Sequence, residues 1–349
     1  MGDNARFLII NSFSVHWNGV IIALALLACV LLSLFLRSMQ RRSINNLLIT
    51  AIVSIVCAFI GSRIYFYWNA SEYFSGFGEI FSFTNGGYAM YGALMGAVVG
   101  TAACSYFLKE SLGELLDVIA PGIALGIGIG RWAALFSGEN LGPAVDSLQQ
   151  FPFAVYSEAE SAWMSAFFFY QSLIALVICG ITCYLFFAKY VRKNLKCKTG
   201  DIFLMFALLY TLPQGVFELF RIDPLYFHPI FIKKLKTVPI SLAWSAIFSA
   251  AVLSIFILRR VFRNGVSLST AWPVAACAAG YIGYFNITMR IEMPDNIANA
   301  LVVIGCILLI VTGVALFVLS IKERQMPPRE KNARTGRPGS YPQRRQRSY

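Results

Sequence analysis

The sequence predicts an all-α fold, a polytopic transmembrane bundle of about nine helices with the N-terminus outside and the C-terminus in the cytoplasm. Three observations carry that expectation. Of 349 residues, 58% are hydrophobic and 13% charged, with a mean hydropathy of +0.65, which excludes an ordinary water-soluble domain. Runs such as 19–36 (GVIIALALLACVLLSLFL) and 298–320 (ANALVVIGCILLIVTGVALFVLS) hold no charge and, as helices, are long enough to cross ~30 Å of hydrocarbon. The third observation is where Lys and Arg fall, because basic loops stay on the cytoplasmic side.

Taken in order, apolar windows broken by Gly, Pro and charge give spans at 19–36, 47–66, 87–108, 114–136, 163–188, 201–219, 239–258, 271–289 and 298–320. The eighth, interrupted by Pro273 and Gly280, is the least continuous. Residues 1–15 contain Asp3 and Arg6, and their apolar stretch (FLII) is too short for a signal h-region, so span one is the expected insertion signal. With the N-terminus outside, most of the 29 Lys and Arg lie inside: Arg37, Arg41, Arg42, Lys109, those of 189–198, Arg259, Arg260, Arg263 and those of the tail from Lys322. Arg6, Lys233, Lys234, Lys236 and Arg290 lie outside. The net charge of +12 is therefore mostly cytoplasmic, facing anionic lipid that attracts each nearby basic residue by about 1 kcal/mol. No nucleic-acid partner is needed to explain it. The tail 322–349, rich in Pro, Gly, Arg and Gln, reads as a disordered basic segment at the membrane surface.

Seven cysteines fall within spans and Cys197 in a Lys-rich loop; with no CxxC pair they read as packing thiols. His16 and His228 are too few and too separated for a metal site. A charge inside the membrane needs a partner, a wet cavity or a task, which singles out Arg63, Asp117, Arg131, Glu218 and Arg221. Asp117 and Glu114 suit the N-terminal end of their own span. Arg131 follows PGIALGIGIG, whose Gly122, Gly126, Gly128 and Gly130 thin one helix face. Either that face admits a ligand, with Arg131 and the Glu139–Asn140 turn cradling a phosphate, or it packs tightly and Arg131 snorkels outward. Tyr210, Gln214, Glu218 and Arg221 share a helical face around Pro213, where the bland alternative is a local Glu218–Arg221 ion pair. Tyr91 and Tyr170 read as core aromatics on composition alone.

The order HWNGV (16–20), GSRIYFYW (61–68), GGYAMYGALMG (86–96), LDVIAPGIALGIGIGRWAALFSGENLG (116–142), AFFFYQSL (166–173) and LLYTLPQGVFELFRID (208–223) resembles the prolipoprotein diacylglyceryl transferase family over roughly residues 10–258. The fourth block resembles the family signature, a Gly-Arg followed by a polar turn closing in Gly-Glu-x-x-Gly. The resemblance implies a seven-helix core over 1–258, two additional helices over 259–321, and the basic tail over 322–349. It implies transfer of the diacylglyceryl group of phosphatidylglycerol to the lipobox cysteine of a prolipoprotein, the first step of bacterial lipoprotein maturation, at the outer leaflet of the plasma membrane. No cofactor is implied, since phosphatidylglycerol is a substrate.

Residue by residue, the resemblance makes Arg131 the clamp on the phosphate and Tyr91 the candidate for proton transfer. It assigns Arg131, Glu139, Gly142, Tyr210, Glu218 and Arg221 to phosphatidylglycerol binding. A phenol with a pKa near ~10 needs a neighbouring cation to serve as a base. The chain departs from the family at Asn18 (usually Tyr), Ala134 (Asn), Gln171 (Glu) and Gln214 (Arg), while Tyr91 stands where His is frequent. Losing one cationic donor from a dry site is worth roughly 3 kcal/mol of transition-state stabilisation. Lys233, Lys234 and Lys236 are candidates to restore it. These departures motivate an alternative, a catalytically impaired paralogue that binds lipid or prolipoprotein. A small-solute transporter is a third reading, weakened by the lack of an internal repeat.

Overall fold

The computed structural model describes residues 6–10, 13–69, 87–222, 239–265, 268–284 and 295–325. His228, Lys233, Lys234, Lys236, Arg290 and the tail beyond 325 lie outside the described residues. An antiparallel hairpin, β1 (Arg6–Ile10) and β2 (Phe13–His16), runs straight into α1 (Trp17–Met39). Then follow α2 (Ile44–Asn69), α3 (Met90–Phe107) and α4 (Leu112–Gly130), which passes through a 3₁₀ turn at Arg131–Ala133 into the short α5 (Ala134–Ser137). A second hairpin, β3 (Ala154–Ser157) and β4 (Ala162–Ser165), precedes α6 (Phe167–Phe186) and α7 (Asp201–Phe220). The last described elements are α8 (Ile240–Asn264), α9 (Leu268–Tyr284) and α10 (Asp295–Gln325).

Among the described residues, eight helices are long and apolar enough to cross a membrane, and the fold is a polytopic helical membrane protein. The sequence predicts nine crossings; α9, at 17 residues, is shorter than the expected 271–289 span, whose last residues lie outside those described. The fifth span also starts later than expected. Trp163 and Met164 pair with Tyr156 and Val155 in the β-ladder, because a short apolar run has no periodicity that separates strand from helix. Leu24, Leu27, Leu31 and Phe35 face outward from α1, as suits a molecule whose solvent is hydrocarbon.

Glycines set the helix spacing. A Cβ on Gly96 of α3 would collide with the Cys57 carbonyl of α2, and one on Gly122 of α4 with Ser33 Oγ of α1. Gly126 meets Cys29 and Gly128 meets Leu176, so the glycine face ahead of Arg131 is a packing surface for α1 and α6, not a ligand cleft.

The basic segments gather at one end of the bundle. The fully buried Arg37 pairs with Glu110, which also accepts from Asn46 Nδ2 at 2.7 Å. Arg260 lies 2.6 Å from Glu323, and Gln325 Nε2 donates to the Asn194 carbonyl at 3.2 Å. Asp117 corrects the expectation that it serves its own helix. It is fully buried and accepts from Lys189 Nζ (2.7 Å), Tyr190 Oη (2.9 Å) and the backbone N–H groups of Gly200, Ile202 and Phe203 (3.0, 3.0 and 3.2 Å). It therefore caps α7, whose first N–H groups have no intrahelical acceptor. Glu114 instead faces Arg42 at 3.6 Å.

Candidate functional site

The 3₁₀ turn that ends α4 rotates Arg131 toward α7 instead of letting it snorkel away. Its Nη2 donates to Tyr210 Oη at 3.0 Å and to Gln214 Oε1 at 2.8 Å, two residues one helical turn apart on α7. The Nε of Arg131 is buried and finds no hydrogen-bond partner among the described residues. Both partners are neutral, so the guanidinium is fixed in place while its charge stays uncompensated by them. A dipole pair of this kind positions a cation without neutralising it.

Tyr91 of α3 lies within electrostatic reach of Arg131, Tyr210 and Glu218. Its ring stacks on Phe248 of α8 with centroids 6.0 Å apart, and its buried hydroxyl has no partner among the described residues. Buried donors and acceptors are nearly always satisfied, so this phenol and the guanidinium Nε are free to take a water or a polar ligand. Glu218 is 2% exposed and accepts from Arg221 Nη1 at 3.2 Å, so the local ion pair is present, with its carboxylate buried.

The turn after Arg131 comes back to the same end of α7. Leu141 accepts from the Ile222 N–H at 3.2 Å, and Gly142 donates its N–H to Ser165 of β4 at 2.8 Å. A Cβ on Gly142 would strike the Phe167 ring, which explains the glycine. Gly138 adopts φ 71° and Asn140 φ 58°, the left-handed conformations that let the chain reverse so tightly. Glu139 is exposed on this turn, while Asn140 is buried and donates to Gln171 Oε1 at 2.6 Å. Gln171 Nε2 is buried with no partner among the described residues. Ala134 opens α5, and Asn18 accepts from the Gly19 N–H at 3.0 Å.

An apolar cavity of about 570 Å³ opens between α2, α3 and α8, lined among others by Ile64, Tyr65, Trp68, Gly92 and Trp244. Its wall reaches the residue beside Tyr91; Arg131 itself is not part of it. Pro213 sits inside α7 without ending it. Its missing N–H deprives the Leu209 carbonyl of its helical partner, one turn from Gln214. The sequence singles out Arg131 and, separately, the Tyr210–Gln214–Glu218 face, but neither their pairing, nor the Asn140–Gln171 contact, nor Trp132, whose Nε1 donates to Ser172 at 3.1 Å. Hydrogen bonds between residues 31 and 40 positions apart leave no local pattern to read.

A cation held by two neutral side chains inside a bundle of apolar helices defines a polytopic helical membrane protein with a buried guanidinium. A profile of the prolipoprotein diacylglyceryl transferase family matches residues 5–258, and the chain belongs to that family of transferases. A phosphatidylglycerol–prolipoprotein diacylglyceryl transferase of Acaryochloris marina is 30% identical over 230 residues, 63% of this chain and 81% of that relative. One of Clostridium botulinum is 27% identical over 260 residues, covering 73% and 97%. One of Clostridium kluyveri is 29% identical over 221 residues, covering 62% and 84%.

Proposed function

We propose that this chain moves the diacylglyceryl group of phosphatidylglycerol onto the lipobox cysteine thiol of prolipoproteins. In that reaction the thiol gives up its proton, which ends on the departing phosphate, the sulfur attacks the glyceryl carbon that bears the phosphate, a C–S bond forms and the C–O bond breaks. Glycerol phosphate leaves with the electron pair. Charge accumulates on the departing phosphate, so the group that matters is a cation already in position there.

Arg131 is the proposed phosphate clamp, and the observation that carries the reading is its double anchorage on Tyr210 and Gln214 with Nε left for a ligand. Tyr91, with its unpartnered hydroxyl, is the proposed proton-transfer group. Glu218 and Arg221, with Glu139 and Gly142 on the adjoining turn, would border the headgroup, and the apolar cavity beside Tyr91 would take acyl chain. The proposed setting is the bacterial plasma membrane, with the basic end of the bundle and the tail on anionic cytoplasmic lipid and the site toward the outer leaflet. The transfer machinery would lie within 1–258.

The test is purified protein with phosphatidylglycerol and a lipobox peptide, read by mass spectrometry for the thioether product, with complementation of a strain depleted of its own transferase. Product that disappears in Arg131→Ala supports the reading. Gln171 and Gln214 favour a second reading, binding without turnover, since they are amides at positions where the family resemblance implies ionised groups. It predicts phosphatidylglycerol binding with no product in the same assay.

A further inference from the structure

Helix α7 is gripped on two faces. With 3.6 residues per turn, Tyr210, Gln214 and Glu218 fall on one face and Leu208, Leu212 and Gly215 on the face beside it. The first face meets Arg131. The second is covered by α8, α9 and α10, of which α9 and α10 lie entirely beyond the segment shared with the family.

The contact is closest at Gly215, next in sequence to Gln214. A Cβ there would collide with both Tyr284 Oη of α9 and Ser245 Oγ of α8, so three helices meet within the width of one methyl group. Tyr284 and Ser245 are both fully buried, and their hydroxyls are hydrogen-bonded to each other. Ser245 Oγ also lies 2.8 Å from the Leu242 carbonyl of its own helix. Above and below, Gly313 of α10 seats Leu208 of α7, and Gly305 of α10 closes on Gly280 of α9. Tyr284 is also within electrostatic reach of Tyr91.

We propose that Tyr284 is a positioning residue for the phosphate clamp: anchored on Ser245, it wedges into the Gly215 notch and holds the α7 turn whose Gln214 orients Arg131. The two C-terminal helices thereby complete the site from behind. The inference rests on Arg131 binding an anionic lipid headgroup, but not on turnover.

The experiment uses full-length protein in nanodiscs of phosphatidylcholine with graded phosphatidylglycerol, comparing Tyr284→Phe, Gln214→Ala, the double variant and Ser245→Ala. Kd for phosphatidylglycerol is read in every case, and KM and kcat wherever product forms. Tyr284→Phe should keep the melting temperature close to wild type and raise Kd and KM about fivefold, the equivalent of one ordinary hydrogen bond, with kcat much less affected. Adding it to Gln214→Ala should change Kd no further, because both act on the same guanidinium. Ser245→Ala reaches the same link from α8 and should reproduce the effect should Tyr284→Phe fold poorly. An unchanged Kd in both hydroxyl variants, or effects that multiply with Gln214→Ala, overturns the proposal. Wild-type protein that binds phosphatidylglycerol without turnover would defeat the transfer reading alone, and the Kd comparison would still decide this one.

Discussion

Lys189 and Asp117 form an ion pair at 2.7 Å with side chains 8% and 0% exposed, at the point where α4, the end of α6 and the start of α7 converge. The carboxylate satisfies five donors, three of them backbone N–H groups. Truncating it would strand a buried ammonium and the head of α7 together. We expect Asp117→Ala to cost about 3–5 kcal/mol of stability and Asp117→Asn less, since an amide keeps one acceptor oxygen. Thermal unfolding in detergent measures the order; equal effects would show that the capping bonds contribute nothing.

Tyr210 donates nothing to the bundle's hydrophobic packing through its hydroxyl, which accepts from Arg131. Tyr210→Phe should therefore leave unfolding nearly unchanged and reduce kcat/KM about tenfold, in line with one lost hydrogen bond to a charged group. A fall in melting temperature with full activity would reverse the assignment.

Two glycines give opposite expectations. At Gly96 a methyl group strikes the Cys57 carbonyl across the α2–α3 interface, so Gly96→Ala should destabilise by about 1–3 kcal/mol. At Gly180 nothing lies within 4 Å, and Gly180→Ala should stabilise α6 by roughly 0.5–1 kcal/mol. Paired melts of the two variants separate helix contact from helix propensity.

Cys197 lies in the loop between α6 and α7, where burial pushes its thiol up to about 11 against the opposing pull of Lys189. Because the thiolate is the nucleophile, alkylation in the folded state should be slow at neutral pH and accelerate as pH climbs toward 11. Denatured protein, with an ordinary thiol, should react at lower pH. Mass-resolved maleimide labelling follows both; rapid neutral-pH labelling of the native protein would contradict the burial.

Much of the fold was legible because insertion in hydrocarbon is decided a short window at a time. Leu24, Leu27 and Leu31 identify α1 as a span without reference to any other helix. The basic segments were likewise readable as one set, and the structure gathers Arg37, Arg260 and the 189–198 loop at one end. The Trp163–Met164 pair was not, since three apolar residues between two serines suit strand or helix equally. Within the site, Tyr210, Gln214 and Glu218 were visible as one helical face, and Arg131 as a charge needing a partner. That Arg131 turns inward depends on the 3₁₀ turn after Gly130 and on glycines pressed against α1 and α6.

The chain by itself determined its solvent, its helices and the short set of charges that demand explanation, because the cost of placing each residue in lipid is paid locally. Only the tertiary structure decided who answers those charges, Asp117 with donors at 189–203 and Arg131 with acceptors at 210 and 214, and only it set the notch at Gly215 against a tyrosine at 284. Those partners lie tens of residues apart along the chain and meet only once the helices pack, where electrostatics and steric fit act through space and not along the backbone.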